Sequence, residues 1–378
     1  MNANVRGSRG PLTHFLRRML LTGSLLIILA GCVNQHPNRV ANDGESEAES
    51  SVEERARGCQ DFLPEEEPGE SEMVEEAGRR VRQLGRPVRL IATSPATADI
   101  CDKLNLELVG VCHSTVSTIP ERYAQAERIG SPMSPDLELI AALKPDWILS
   151  PAALRGDLQP KYEALGVDWA FLNLQSVPGM YRSIDQLGRI FGREEEAREL
   201  IDEFQAFYKA YRVKNEGKRR PKVLILMGLP GSYIIATEQS YVGSLVAMAG
   251  GENVYKDADR QFLNVNTEDM KLREPDIILR AAHALPDQVI EMFRKDFLEN
   301  DIWKHFDAVK NGRVYDLSYA HFGMSAKFNY PEALEELQPI LYPENPEDEK
   351  RAIENSNKAG SEAEKSNGTQ KYEQLLRP

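Results

Sequence analysis

A short motif that occurs twice in this chain constrains its fold more than any other sequence feature. Residues 144–149 are Lys-Pro-Asp-Trp-Ile-Leu, and residues 274–279 are Glu-Pro-Asp-Ile-Ile-Leu. In each copy a glutamate, Glu138 or Glu268, lies seven residues before the proline. The residue before a proline disfavours a helix, and the apolar run after it is typical of a buried strand. One helix-to-strand junction in two copies predicts two similarly built lobes, related by pseudo-twofold symmetry, with a ligand cleft between them.

Signals for strands and helices alternate through both halves of the chain. Helical spacing of apolar residues runs from Met180 to Phe191 and again from Glu194 to about Val213, with Gly192 between them. The second of these helices is long enough to join two lobes. The apolar runs that indicate strands are 88–93, 108–111, 147–149 and 170–174 in the first half, and 222–227, 233–236, 276–279 and 313–317 in the second. This series predicts an α/β fold of two Rossmann-like lobes joined by a single long helix.

Changes in composition set the predicted boundaries. The N lobe is predicted at 88–192, the connecting helix at 193–220 and the C lobe at 221–342. Glu, Ser and Gly dominate much of the stretch 32–87, which is therefore predicted to be an acidic flexible tether. The polar residues 343–378 are predicted to be a disordered tail.

Residues 1–31 have the features of a secretory leader. Four arginines precede an apolar run at 19–30 that is too short to span a bilayer. The run ends in Leu-Ala-Gly-Cys, which resembles the lipobox of bacterial lipoproteins, so Cys32 is predicted to become a lipidated N-terminus. This places the protein on the extracytoplasmic face of the cell membrane. Of the remaining thiols Cys59, Cys101 and Cys112, at least one is not paired within the chain, and a Cys101–Cys112 disulfide remains open.

The charge of the chain and the absence of catalytic motifs exclude several functions. A net charge of −13 over 378 residues, with no long cluster of Lys and Arg, argues against nucleic acid as a partner. The sequence contains no nucleophile elbow, His-Glu-x-x-His motif or Walker loop, which argues against an enzyme.

Four segments carry a resemblance to a known family. They are GSPMSPD at 130–136, KVLILMGLPGSYIIATEQSYVGSLVAMAGGENV at 222–254, PDIILRAAHALP at 275–286 and NDIWKHFDAVKNGRVYDL at 300–317. With these the chain resembles the helical-backbone substrate-binding lipoproteins of ABC importers, which serve corrinoids, siderophores and haem. Within this class it resembles more closely the haem-receptor lipoproteins of the iron-regulated surface determinant system. The resemblance covers roughly residues 88–342 and implies a haem-binding protein for iron acquisition.

This resemblance implies that Met133 and His283, from opposite lobes, hold the iron of haem b. The residues themselves agree with such a role. Ser134 is a good N-cap and Pro135 suits a first helical position, so a helix is predicted directly after Met133. His283 follows the strand at 277–279, and the carboxyl ends of strands are where open α/β sheets bind ligands.

Other residues have weaker or alternative assignments. Tyr233 and Tyr241 are expected either to line the haem or to pack within the second lobe. Ser94 and Thr93 are candidate partners of the haem propionates, because helix N-termini attract anions.

The resemblance also implies partners. Glu138 and Glu268 resemble the paired acidic residues with which this class of protein docks onto arginines of a dimeric permease. The expected function is high-affinity haem binding and delivery to an ABC importer permease, and a surface haem-donor protein is a further candidate partner.

Two other ligand classes remain open at this stage. A siderophore or a corrinoid would not require the Met and His pair. A divalent-metal receptor would have to recruit nearly all of the four histidines of the predicted folded region, which are His113, His283, His305 and His321.

Overall fold

The computed structural model describes residues 4–6, 62–114 and 117–344. The predicted leader beyond residues 4–6, the lipidation site Cys32, the first part of the tether and the tail after residue 344 lie outside the described residues. Within the described part of the chain, no helix is both long and apolar enough to cross a membrane.

The N lobe contains a six-stranded sheet with strand order β1-β8-β7-β2-β3-β4. Its strands are β1 (Asn4–Arg6), β2 (Leu90–Ala92), β3 (Leu108–Val111), β4 (Glu127–Arg128), β7 (Trp147–Pro151) and β8 (Asp168–Leu172). All neighbouring pairs are parallel except β1 with β8. A small hairpin of β5 (Gly130–Ser131) and β6 (Ser134–Pro135) stands apart from this sheet. The helices are α1 (Glu70–Gln83), α2 (Pro95–Lys103), α3 (Leu137–Leu143), α4 (Arg155–Leu165) and α5 (Val177–Phe191).

The C lobe is also built on parallel strands, and antiparallel strands extend its sheet on one side. Its sheet has the order β12-β10-β9-β13-β14, and β11 pairs with β9 as well. The strands are β9 (Lys222–Leu229), β10 (Ser232–Ala236), β11 (Glu252–Asn253), β12 (Phe262–Leu263), β13 (Ile277–Ala282) and β14 (Val314–Asp316). The helices are α7 (Tyr241–Met248), α8 (Thr267–Leu272), α9 (Pro286–Glu299), α10 (Asp307–Lys310) and α11 (Tyr330–Leu341).

One helix, α6 (Glu194–Asn215), connects the lobes as predicted. Three glutamates begin it and basic residues occupy its last turn, an arrangement that complements the helix dipole. The ring of Phe204 stacks on Tyr181 of α5 at 4.4 Å, and the hydroxyl of Tyr211 donates to the carbonyl of Leu334 in α11 at 3.0 Å. The connecting helix is therefore fixed to both lobes along its length.

The repeated motif corresponds to the same local structure in both lobes. A short helix ends, Lys144 or Glu274 adopts a left-handed backbone with φ near 50°, and a strand begins after the proline and aspartate. In the N lobe the Asp146 carboxylate accepts two hydrogen bonds of 2.8 Å from Arg86, and another of 2.8 Å from the backbone N–H of Arg89. The hydrogen bond from Arg86 is the main reason that the pKa of Asp146 lies below its usual value.

The C lobe uses the same interaction. Asp276 accepts hydrogen bonds of 3.1 and 3.0 Å from Arg219 and one of 2.8 Å from the backbone N–H of Lys222. In each lobe the aspartate precedes one parallel strand and binds the backbone at the start of its neighbour. The carboxylate therefore aligns the amino ends of two central strands, which explains why the motif occurs twice.

The prediction of a flexible tether is wrong for residues 70–83, which form α1. Val74, Ala77 and Gly78 are buried where α1 packs on α5. The Glu70 carboxylate is 2% exposed and accepts hydrogen bonds from Arg182 at 2.7 and 3.0 Å. Glu70 also accepts from Gln186. The many charged residues of α1 mask its narrow apolar face, because only a few small and medium-sized side chains are buried there.

We expect Glu70→Ala to lower the free energy of unfolding by about 2 kcal/mol, because it removes the buried one of the carboxylates that pair with the Arg182 guanidinium, which keeps Glu66 and Asp185. Urea unfolding would measure this change. Glu72→Ala, on the exposed face of the same helix, is the matched control, and we expect it to change stability by less than about 0.5 kcal/mol. Equal effects of the two substitutions would contradict a docked α1.

Candidate functional site

The candidate site lies where the carboxyl ends of the parallel strands of the two lobes meet. The backbone N–H of Ala326, after β14 in the C lobe, donates to the carbonyl of Leu174, after β8 in the N lobe, at 2.8 Å. Next to it, Lys327 Nζ donates to Ser117 Oγ at 3.3 Å. The ring of Phe328 lies edge-on to Tyr181 at 6.3 Å. One segment of the C lobe, residues 326–328, thus contacts the N lobe at the edge where α/β sheets bind ligands.

His283 is the first residue after β13, at this edge of the C lobe. Its backbone N–H donates to the carbonyl of Gly228 at 2.9 Å, which extends the pairing of β13 with β9 by one residue. The side chain is half-buried, and its Nδ1 is buried without a hydrogen-bond partner among the described residues. Burial lowers the pKa of the imidazole. At neutral pH the ring is therefore uncharged, which is the form that binds a metal.

Met133 lies at the tip of the hairpin formed by β5 and β6. The two turn residues are Pro132 and Met133, and the Met133 side chain is 73% exposed. A methionine with so much of its surface in solvent has a thioether that is free to bind a soft metal.

The predicted helix start after Met133 is wrong. Ser134 and Pro135 belong to β6 because they pair with β5, and the N-cap is Asp136, whose Oδ1 accepts from the backbone N–H groups of Glu138 and Leu139 at 2.9 and 3.0 Å. The Ser-Pro sequence favours a helix start, but it does not start one here because Ser134 and Pro135 pair with β5 in the hairpin.

Both candidate tyrosines pack within the C lobe. The Tyr233 hydroxyl donates to Asp296 at 2.9 Å, and its ring lies 5.4 Å from that of Phe293. Tyr241 is the first residue of α7 and is 2% exposed. Both rings thus pack in the C lobe, and a role of either ring in lining the haem stays a prediction.

The hydroxyls of Thr93 and Ser94 are already hydrogen-bonded inside the N lobe. Thr93 is fully buried, and its Oγ1 lies 2.7 Å from Ser150 Oγ. Ser94 caps α2 by accepting from the backbone N–H of Thr97 at 3.1 Å, and the Thr97 hydroxyl accepts in return from the backbone N–H of Ser94. Both hydroxyls thus have partners within the N lobe, and their role toward the haem propionates stays a prediction.

Cys101 and Cys112 are both free and buried. Burial raises the pKa of the Cys112 thiol to about 11, so it is protonated at neutral pH.

His321 Nδ1 lies 2.9 Å from a carboxylate oxygen of Glu336, and this partner raises the pKa of the histidine. Across the described ranges, no group of three or more His, Cys, Asp or Glu side chains could hold a metal ion.

Asp99 on α2 has an unusual carboxyl group that the sequence did not reveal. Burial raises the pKa of its carboxyl to about 6. The positive charges of Lys327, from the other lobe, and of Lys103 on α2 favour the ionised form of Asp99. The negative charge of Asp102 disfavours it. The Cys112 thiol also lies near this carboxylate. No sequence pattern links Asp99 with Lys327, since they meet only when the lobes assemble.

Comparison with known proteins identifies relatives over the described body of the chain. Residues 90–320 match the family model described as periplasmic binding protein. The High-affinity heme uptake system protein IsdE of Staphylococcus aureus (strain Newman) is 43% identical over 257 residues, which are 67% of this chain and 87% of that protein.

Two solved structures are similar at comparable identity. The crystal structure of S. aureus IsdE complexed with heme has a TM-score of 0.64 at 43% identity and covers 68% of this chain and 100% of that one. An ABC transporter substrate-binding protein from Listeria monocytogenes EGD-e has a TM-score of 0.65 at 47% identity, covering 68% of this chain and 99% of that one. These similarities agree with the two-lobed fold and the connecting helix.

We expect Asp99→Asn to raise the free energy of unfolding at pH 7 by about 1 to 3 kcal/mol. Because the folded-state pKa of Asp99 is raised, its neutral form stabilises the fold at low pH, and this contribution is lost as the pH rises from about 4 to about 6. The extra free energy of unfolding of Asp99→Asn over the wild type should therefore disappear below about pH 4. Urea unfolding across this range would measure it, with the exposed Asp157→Asn of α4 as the baseline. A stability difference between Asp99→Asn and the wild type that stays constant at all pH values would contradict the raised pKa of Asp99.

Proposed function

The chain belongs to the periplasmic binding protein family, and from this premise we propose that it captures haem outside the cytoplasm and delivers it to an ABC importer. The observation that carries the proposal is the 43% identity to IsdE, named a high-affinity heme uptake protein, over 87% of that relative. The relatives are substrate-binding transport proteins, and we propose no catalytic step for this chain.

The proposed iron ligands are His283 and Met133. The supporting observations are an uncharged, half-buried imidazole at the carboxyl end of β13 and an exposed thioether on a hairpin of the other lobe. Imidazole binds iron in both common oxidation states, whereas a thioether favours the reduced one. With one ligand from each lobe, bound haem would link the lobes through its iron.

The proposed docking residues for a dimeric permease are Glu138 and Glu268. Both are exposed, and each is the second residue of the short helix that precedes a Pro-Asp motif, α3 in one lobe and α8 in the other. Equivalent placement in two similar lobes would present one carboxylate to each of two similar arginine sites. Repeated charge pairing of this kind favours orientation and association rate.

The lipid anchor is proposed from Cys32, which lies outside the described residues. A diacylated cysteine at the N-terminus would hold the receptor beside its permease, and mass spectrometry of the mature N-terminus would identify it. Cleavage before Cys32 would also remove β1, so the N-lobe sheet of the mature protein would consist of the other five strands. The chain from Cys32 to α1 would then be the tether, shorter than the sequence predicted because α1 is part of the folded body.

We expect His283→Ala to weaken haem binding more than Met133→Ala, because imidazole is the stronger donor to ferric iron. The Met133 variant should keep haem and open a coordination position that added imidazole can fill. Absorption titration of the Soret band would measure both effects. His305→Ala and Met73→Ala, which change the same residue types elsewhere, should leave the spectrum unchanged. Wild-type spectra in both site variants would refute the axial assignment and favour a siderophore or corrinoid ligand.

We expect the double variant Glu138→Lys/Glu268→Lys to abolish haem import in cells and to leave the Soret band of the purified protein unchanged. The two carboxylates lie on the short helices, apart from the proposed iron ligands, so their reversal should affect only docking. Glu72→Lys/Glu299→Lys makes the same charge change on other exposed helix positions and should preserve import. A lost Soret band in the first variant would show that these glutamates serve the haem site instead.

A further inference from the structure

A concave surface of the C lobe that has no part in the proposed haem site is rich in cations. It lies at the amino edge of the sheet, where β9 and β13 begin, whereas His283 lies at the carboxyl edge. We infer that this pocket binds a phosphate group and that the headgroups of membrane lipids supply it. The choice of lipid as the source rests on the proposed function, and the phosphate site itself does not.

Three parts of the C lobe form the pocket, which has a volume of about 610 Å³. They are the start of β9, the junction between α8 and β13, and the segment around α10. The local surplus of positive charge contrasts with the net charge of −13 of the whole chain and favours an anion as the ligand. The described lining contains three carboxylates and five cations, Arg219, Lys222, Lys271, Lys310 and Arg313.

Two of the three carboxylates are already paired. Asp276 accepts hydrogen bonds from Arg219 at 3.1 and 3.0 Å, and Asp307 accepts one from Lys310 at 2.7 Å. The third carboxylate, Glu274, is exposed. The two pairs therefore neutralise two of the five cations, and the other three outnumber the remaining carboxylate.

Lys222 and Lys271 are two of these remaining cations. Both side chains are exposed, and neither forms an ion pair or a hydrogen bond with another side chain in the part of the chain that the structure describes. The charge of Lys271 helps to lower the pKa of Asp307, so its ammonium lies near that carboxylate. Each ammonium can bind an oxyanion without breaking an existing ion pair.

Arg313 supplies the third cation from a fixed position. Its guanidinium donates to the carbonyl of Ile340, in the last turn of α11, at 3.0 Å. This bond uses one of the five N–H donors of the group and holds it in place. A guanidinium held in this way can present two other N–H groups to the oxygens of a phosphate.

The position of α8 favours lipid as the source of the phosphate. This helix contains both Glu268, the proposed docking residue, and Lys271, three residues later. At a rise of 1.5 Å per residue, the two positions are separated by about 5 Å along the helix axis. A C lobe that contacts the permease through Glu268 would therefore bring the pocket close to the surrounding membrane. Anionic headgroups at a membrane surface attract lysine and arginine side chains.

The test titrates the full chain with two soluble probes in a calorimeter at constant ionic strength. The probes are inorganic phosphate and glycerophosphoglycerol, which is the headgroup of phosphatidylglycerol without its acyl chains. We expect the wild type to bind both. Lys222→Gln/Lys271→Gln should weaken both affinities about tenfold, because two charge-assisted hydrogen bonds that are open to solvent are lost.

The matched control Lys161→Gln/Lys209→Gln removes two exposed lysine charges from α4 and α6 and should keep both affinities. Thermal unfolding of each variant checks that the fold is intact. Equal affinities in the wild type and in Lys222→Gln/Lys271→Gln, or no binding of either probe, would overturn the pocket. Binding of inorganic phosphate without binding of the headgroup would overturn lipid as the source.

Haem titration of the same samples separates this inference from the proposed function. We expect the Soret band of Lys222→Gln/Lys271→Gln to equal that of the wild type, because both lysines lie at the amino edge of the sheet. A wild type that binds both probes but shows no Soret band would refute haem as the ligand and leave the phosphate site in place.

Discussion

The rest of this structure depends on the carboxylate of one aspartate in each lobe. Asp146 and Asp276 each bind a guanidinium and the backbone N–H of the neighbouring strand, which fixes where two central parallel strands begin. Strands aligned at their amino ends also finish close to one level. The loops that follow them, including the one that contains His283, therefore meet at a common edge of the sheet.

The candidate site combines two opposite environments. His283 is half-buried, and its Nδ1 has no hydrogen-bond partner in the described part of the chain, so its imidazole stays neutral, while Met133 is exposed to solvent at a hairpin tip. Among the residues that the structure describes, neither side chain makes a hydrogen bond to the other lobe. Their separation depends on the lobe contacts made by residues 326–328 and by the connecting helix.

The sequence was informative where a local pattern repeats and uninformative where distant residues meet. The twin Pro-Asp motif predicted two lobes, and the strand before His283 lies where the sequence placed it. The amphipathic face of α1 was missed because few apolar residues mark it. The capping role of Ser134 was mistaken because strand pairing, which depends on Gly130 and Ser131, outweighs local helix preference. The approach of Lys327 to Ser117 follows from lobe assembly, which no local pattern records.

The exposure of the hairpin tip has a chemical consequence for a protein outside the cytoplasm. A methionine sulfur that is open to solvent is readily oxidised to the sulfoxide, which is polar and is no longer a soft thioether donor. Reductase enzymes that reverse this reaction would have to act on the outer side of the membrane. The surface position that would let Met133 serve as the proposed iron ligand therefore also exposes its sulfur to oxidation, whereas the ring of His283 is half-buried.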